Sequence, residues 1–230
     1  MKAFFCGVVA LLVAIPATAQ VGHQPAASPY TDLEHAQELT ALVGYVKAGR
    51  DPAGVAPQSA PMVGIRYEIS LVGPLAMSSD LAATFSKRDV IDPSKPRALR
   101  TLRTEDATVY SADLALAMNL TGRKSWHHIV PQVRGGIGLI RSSAKDDSSG
   151  FRVGTPFAFV IGGGLKLVPG GSGRVQLRAD ITDRLFKLSY PDSYYRLASD
   201  NSAVLDRSTA KSFYTHHAAF TVGVSYLFGR

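Results

Sequence analysis

The sequence predicts an all-β chain: a closed, antiparallel, up-and-down transmembrane β-barrel of eight strands, preceded by a cleaved signal peptide and a short linker with a possible helical turn. Three observations lead there. Residues 213–228 alternate almost without a break, with Tyr214, Phe220, Val222, Val224, Tyr226 and Phe228 on one face and Thr215, Ala219, Thr221, Gly223 and Ser225 on the other. Such period-two alternation sends successive side chains to opposite faces of a strand. Similar stretches recur along the chain, and the connections between them alternate long and short. The chain also opens with an export signal. A water-soluble sandwich would turn the greasy face inward, but it has no reason to gather every long loop at one end.

Taken in order, residues 1–19 read as the signal peptide. Met1-Lys2 is a short positive start, Ala3 to Ile15 is apolar, and Ala17-Thr18-Ala19 fits the small-x-small rule for cleavage before Gln20. The apolar run is too short for a comfortable membrane span. The single cysteine, Cys6, lies inside it, so residues 20–230 carry no thiolate or disulfide chemistry. Residues 20–39 read as a periplasmic linker, rich in Pro, Ala and Ser at first. Thr31-Asp-Leu-Glu34 has the form of a capping box and predicts one or two helical turns. Residues 40–230 are the barrel domain, with strands expected near 40–48, 62–71, 75–87, 108–120, 128–141, 153–168, 174–188 and 213–228. A helix from the capping box through Lys47 is the rival for the first of these, and would leave an odd count of seven. An even count instead puts both ends of the barrel on the short-turn side and requires the last strand, around Phe220, to pair with the first, around Val43.

The faces follow the same rule. Leu75, Met77, Leu81, Leu114, Leu116, Ile137, Leu139, Phe159 and Ile161 are predicted to face lipid. Aromatic residues gather near strand ends, with Trp126, Tyr226 and Phe228 at one end and Phe85, Tyr110, Phe213 and Tyr214 at the other. Two such girdles are expected where amphipathic rings sit at headgroup depth.

The chain resembles the small bacterial outer-membrane proteins of the OmpA/OmpX-like eight-stranded class. The signal peptide, the alternating strands and the ending Tyr226-Leu-Phe228-Gly-Arg230 carry the resemblance, as does the Arg178-x-Asp180 pair. It implies location in the bacterial outer membrane. It also implies that Tyr226 and Phe228 serve as the aromatic signal read by the barrel assembly machinery, although this chain adds Gly229-Arg230 after the aromatic.

An eight-stranded barrel is just wide enough for its side chains to fill it. The inward set includes Arg66, Glu68, Asp80, Asp113, Arg134, Lys166, Arg178, Asp180 and Arg184. Unpaired charge in so narrow a space is costly, so these residues are expected to form a network. The four acids are expected to find Arg66, Arg134, Lys166 or Arg178. Asp183 falls on the lipid face, near the outer end of its strand.

No catalytic, cofactor or metal site emerges. The lipid-deacylating barrels resemble one another in a His-x-Ser pair facing lipid, whereas His127, His128, His216 and His217 are followed two residues on by Ile129, Val130, Ala218 and Ala219. Neighbouring histidines on a strand face opposite ways, so neither pair chelates a metal directly. The glycine clusters at 135–138 and 162–164 open no helix and read as close approaches in a curved sheet. The net charge of +7 is not concentrated in a block, which speaks against nucleic acid and for contact with anionic lipid. The expected partners are outer-membrane lipid or lipopolysaccharide and the assembly machinery; the loop ligand is unnamed, and a monomer is expected. Three functional classes follow: a structural or surface-interaction barrel, which is preferred, a narrow channel or carrier for small solutes, and a lipid-modifying enzyme.

Overall fold

The computed structural model describes residues 28–145, 147–154, 156–168 and 173–229; the expected signal peptide, with Ala17 and Ala19, lies outside them. The strands are β1 Tyr30–Asp32, β2 Gln37–Lys47, β3 Ala60–Ser70, β4 Leu75–Thr84, β5 Lys87–Ile91, β6 Thr101–Asp106, β7 Val109–Asn119, β8 Lys124–Trp126, β9 Ile129–Ser142, β10 Phe157–Leu167, β11 Val175–Ser189 and β12 Ser212–Phe228. Eight of them, β2, β3, β4, β7, β9, β10, β11 and β12, pair in that order with antiparallel neighbours. The ring closes where Val222 of β12 lies opposite Val43 of β2. Closure leaves no strand edge to be satisfied by lipid, which cannot hydrogen-bond.

Alternation decides the two faces. Leu39, Val43, Leu81, Leu114, Ile137, Phe159, Ile181 and Val224 are exposed on the outside, while Thr40, Ser78, Gln132, Arg178 and Ser225 are buried within. A water-soluble protein does not present so continuous an apolar belt; a transmembrane barrel does. Phe85, Tyr110 and Tyr214 stand exposed towards one end of this belt, Trp126 and Tyr226 towards the other. Phe213 does not join them. It lies one residue out of phase with Tyr214, and its ring packs inward, 6.0 Å from Tyr190.

The start of the chain also differs from expectation. Residues 31–34 form no helical turn. Thr31 lies in β1, opposite Ser125 of β8, and the Leu33 amide donates to the Arg123 carbonyl at 2.9 Å. Those cross-chain bonds use the backbone groups that a helix would have needed. β2 then begins at Gln37 rather than at residue 40. β10 begins at Phe157 rather than at 153, directly after Pro156, which has no amide to give to the ladder.

Both ends of the barrel carry additional structure. The region expected as a loop between β4 and β7 continues as a β5–β6 hairpin beyond the barrel. At the opposite end, β8 and β9 are joined by His127 and His128, both at positive φ (47° and 65°), the geometry of a tight type I′ turn.

Candidate functional site

The inward side chains of the barrel strands meet in one charged interior. Asp80 is gripped by Arg66 at 2.8 Å and by Arg134 at 2.6 Å. Arg66 also reaches Asp180 at 3.2 Å, and Asp180 takes a two-bond grip from Arg178 at 2.8 and 3.0 Å. Arg178 turns its remaining nitrogen, Nη1, to Glu38 at 2.7 Å, and Nη2 donates also to the Gln132 side-chain oxygen at 3.2 Å. Lys166 bridges Glu38, at 2.8 Å, and Glu68. Gln132 completes this layer by donating to Glu68 at 2.8 Å and to Asn119 at 3.1 Å. The planar fork of arginine suits such shared carboxylates.

All nine charged residues expected inside are buried there, and a tenth joins them. Glu38 is 5 % exposed and accepts hydrogen bonds from Thr40 and Ser225 besides its two cations. The signal for it is the alternation of Leu39, Ala41 and Val43, which extends back to Gln37 and places Glu38 on the Thr40 face. With Glu38, five acids meet five bases among the described residues. Asp113 departs from the expected pairing: its partner is Arg184, at 2.7 Å, because the curvature of the sheet brings β7 and β11 face to face across the lumen.

Two glycines make room for this network. A Cβ on Gly138 would overlap the Asp113 carboxylate, and one on Gly164 would overlap that of Asp180. Both belong to the glycine clusters, and at these two positions the missing side chain gives clearance to a carboxylate from the neighbouring strand.

Each end of the charged interior is covered. At the β8 end, residues 28–36 cross the mouth as a strap: the His127 amide donates to the Pro29 carbonyl at 2.9 Å, and the Ala36 amide to the Gly229 carbonyl at 3.2 Å. A cavity of about 60 Å³ remains between strap and network, lined by Leu33, His35, Glu38, Glu68, Lys166 and Gln176. At the other end the long loops fold over the barrel around Val55, Ile140, Phe151, Phe186, Leu188 and Tyr194. A second cavity, of about 50 Å³, lies between this apolar core and the Arg184–Asp113 pair.

Polar ties fasten the cap. Arg88, almost wholly buried, binds Glu105 at 2.8 Å and also Asp147. Arg100 donates to the Ser202 and Ala203 carbonyls. The Tyr190 hydroxyl donates to Asp51 at 2.5 Å. Burial, reinforced by the Asp51 carboxylate, holds the Tyr190 phenol well above its ordinary range; burial likewise pushes Tyr194 up to about 12.

On the outer wall, Asp183 lies 2.5 Å from His216 Nδ1. No described serine hydroxyl is hydrogen-bonded to His216. No group of three metal-ligating side chains occurs among the described residues.

The chain matches no known protein-family model and no curated protein. Its fold matches solved outer-membrane barrels. Neisserial surface protein A superimposes with a TM-score of 0.53 at 12 % identity, over 84 % of this chain and 97 % of that one. OprG from Pseudomonas aeruginosa gives a TM-score of 0.52 at 11 % identity, over 85 % of this chain and 98 % of its own. At such identities the likeness is one of fold, and the chain has the fold of the small eight-stranded outer-membrane barrels.

Proposed function

We propose that the protein is a bacterial outer-membrane barrel with a structural or surface-interaction role, in which ion pairs plug the lumen and the folded outer loops are the working surface. The observation that carries this reading is the continuous network from Asp80 through Arg66, Asp180, Arg178, Glu38 and Lys166 to Glu68. It links residues of β2, β3, β4, β10 and β11 across the lumen, and acids alternate with bases rather than occupying opposite walls. A conduit would be served by the segregated arrangement, which sets a field across a water column. The strap and the cap support the same reading, since each covers one mouth. In this role the apolar belt sits in lipid, lipopolysaccharide surrounds the outer rim, and Tyr226 and Phe228 present the signal read during assembly.

One observation favours a narrow channel instead. Glu68 Oε2, Asp113 Oδ1 and Arg134 Nε and Nη2 are buried in the lumen without a hydrogen-bond partner, and such atoms attract water. Planar-bilayer recording with purified protein separates the two readings. The expected trace is silent for the natural chain. Stable discrete currents that Arg134→Ala abolishes would replace the plug with a conduit.

A further inference from the structure

We propose that the outer wall of β2, β12 and β11 carries a binding site for the phosphate of an outer-leaflet lipid, formed by Lys47 and His216 with Asp183 holding the imidazole. The inference rests on the outer-membrane reading above. The cluster follows from register: Lys47 lies opposite Ala218, and Ala218 opposite Asp183, so the three form one row across neighbouring strands. His216 is two residues above Ala218 on the same face of β12, between the lysine and the acid. Its side chain is 74 % exposed on the lipid side.

Height above the inner girdle identifies what meets this cluster. Tyr226 marks the inner boundary on β12, and His216 is ten residues further along. At about 3.4 Å per residue and a tilt of about 40°, that is roughly 26 Å along the membrane normal. The apolar band of such barrels is about 25 Å tall. His216 and Lys47 therefore emerge where outer-leaflet headgroups begin, with Tyr45 and Phe220 below them in the apolar belt. Charges buried among lipid tails would be expensive; charges at this level are met by headgroups.

The chemistry selects an anion. Lys47 has no ion-pair partner among the described residues. The Asp183 Oδ1 atom is shielded and without a partner, so this carboxylate makes its single hydrogen bond, through Oδ2, to His216. With Nδ1 committed to Asp183, the exposed ring keeps Nε2 for an outside partner, and when that nitrogen carries a proton it donates on the same face as Lys47. Two donors and a positive charge at headgroup depth match a phosphate monoester. Asp183 is a positioning residue in this arrangement, because its Oδ2 atom holds the ring and its Oδ1 atom is shielded.

The test is native mass spectrometry of the folded full-length barrel, in detergent, titrated with bisphosphorylated lipid A, with its fully dephosphorylated form, and with inorganic phosphate as competitor. Folding of each variant is checked first by the mobility difference between boiled and unboiled samples. The natural protein should retain the phosphorylated lipid in preference to the dephosphorylated one. Lys47→Gln and His216→Gln should each weaken that retention about five- to tenfold, the weight of one cation at an anionic surface. Lys211→Gln, whose ion pair lies in a loop above the barrel, should leave it unchanged. Equal retention of both lipids, or Gln variants indistinguishable from the natural chain, would overturn the site while leaving the barrel reading intact. Full displacement of the lipid by inorganic phosphate would overturn the lipid as its occupant. Absence of the boiled-to-unboiled shift in the natural protein would instead sink the barrel reading itself.

Discussion

From Glu38 up to Arg184 the interior is filled with charge; above Arg184 it is filled by Ile140, Phe151, Phe186, Leu188 and Tyr194. Both fillings occupy space under the same circular wall. They differ in what they demand of the chain. An ion pair is directional, so Arg178 serves Glu38 and Asp180 only if β2 and β11 stand in the observed register. An apolar core is non-directional and accepts side chains from any loop that reaches it. Charge is therefore placed where rigid strands can aim it, and grease where irregular loops must be gathered. The cap keeps a few directed ties, such as Arg88 to Glu105 and Tyr190 to Asp51, at the points where two loops have to meet.

This contrast can be broken first from the charged side. Arg178→Met removes the cation shared by Glu38 and Asp180 and leaves each buried acid with a single cation, Lys166 for Glu38 and Arg66 for Asp180. The expected loss is about 3–5 kcal/mol of barrel stability, as for other buried pairs with one partner removed. Urea unfolding in lipid bilayers measures it. A loss below ~1 kcal/mol would mean that water screens the interior and that the network does not hold the register. The apolar side is tested by Phe151→Ala, which opens the loop core at a cost of about 3 kcal/mol. Here the effect should be local: faster proteolysis of the loops with an unchanged boiled-to-unboiled shift. If the barrel shift vanished as well, cap and barrel would be one cooperative unit. The smallest effect is in alkali. The Tyr190 phenol is raised in the folded protein, so its contribution to stability is complete below the ordinary phenol range and is lost as pH rises through the folded value. Tyrosinate absorbance should show a late component, and Tyr190→Phe should remove it. A single transition for all tyrosines would show that the cap opens freely.

Much of this architecture is legible in the sequence because a membrane wall imposes a period on it. Leu114, Leu116 and Met118 against Ala115 and Ala117 already give both faces of β7. The long and short connections give the direction of each strand. What the period does not give is register across the lumen. Asp113 meets Arg184 on a strand 71 positions away, and nothing local announces that pairing. Glu38 is hidden by a competing local signal, since Thr31 and Glu34 satisfy a helix-start pattern while the Thr31 backbone pairs with β8 and the Leu33 amide bonds to Arg123. Phe213 shows the same limit from another side: aromatic character suggests the girdle, but parity with Tyr214 sends the ring indoors.

The lumen pairs also shape the journey that precedes insertion. Glu38 and Arg178 are 140 positions apart, Glu38 and Lys166 are 128, and Lys166 and Glu68 are 98. None of these contacts can form until distant parts of the chain have been brought into one ring. While the chain crosses the aqueous compartment between the two membranes, these groups are open to water, and they add charge to inward faces that otherwise carry small and neutral polar side chains such as Thr40, Ser78 and Ser225. The charges that end up hidden inside the finished wall thus keep the travelling polypeptide dissolved and discourage premature strand-to-strand association.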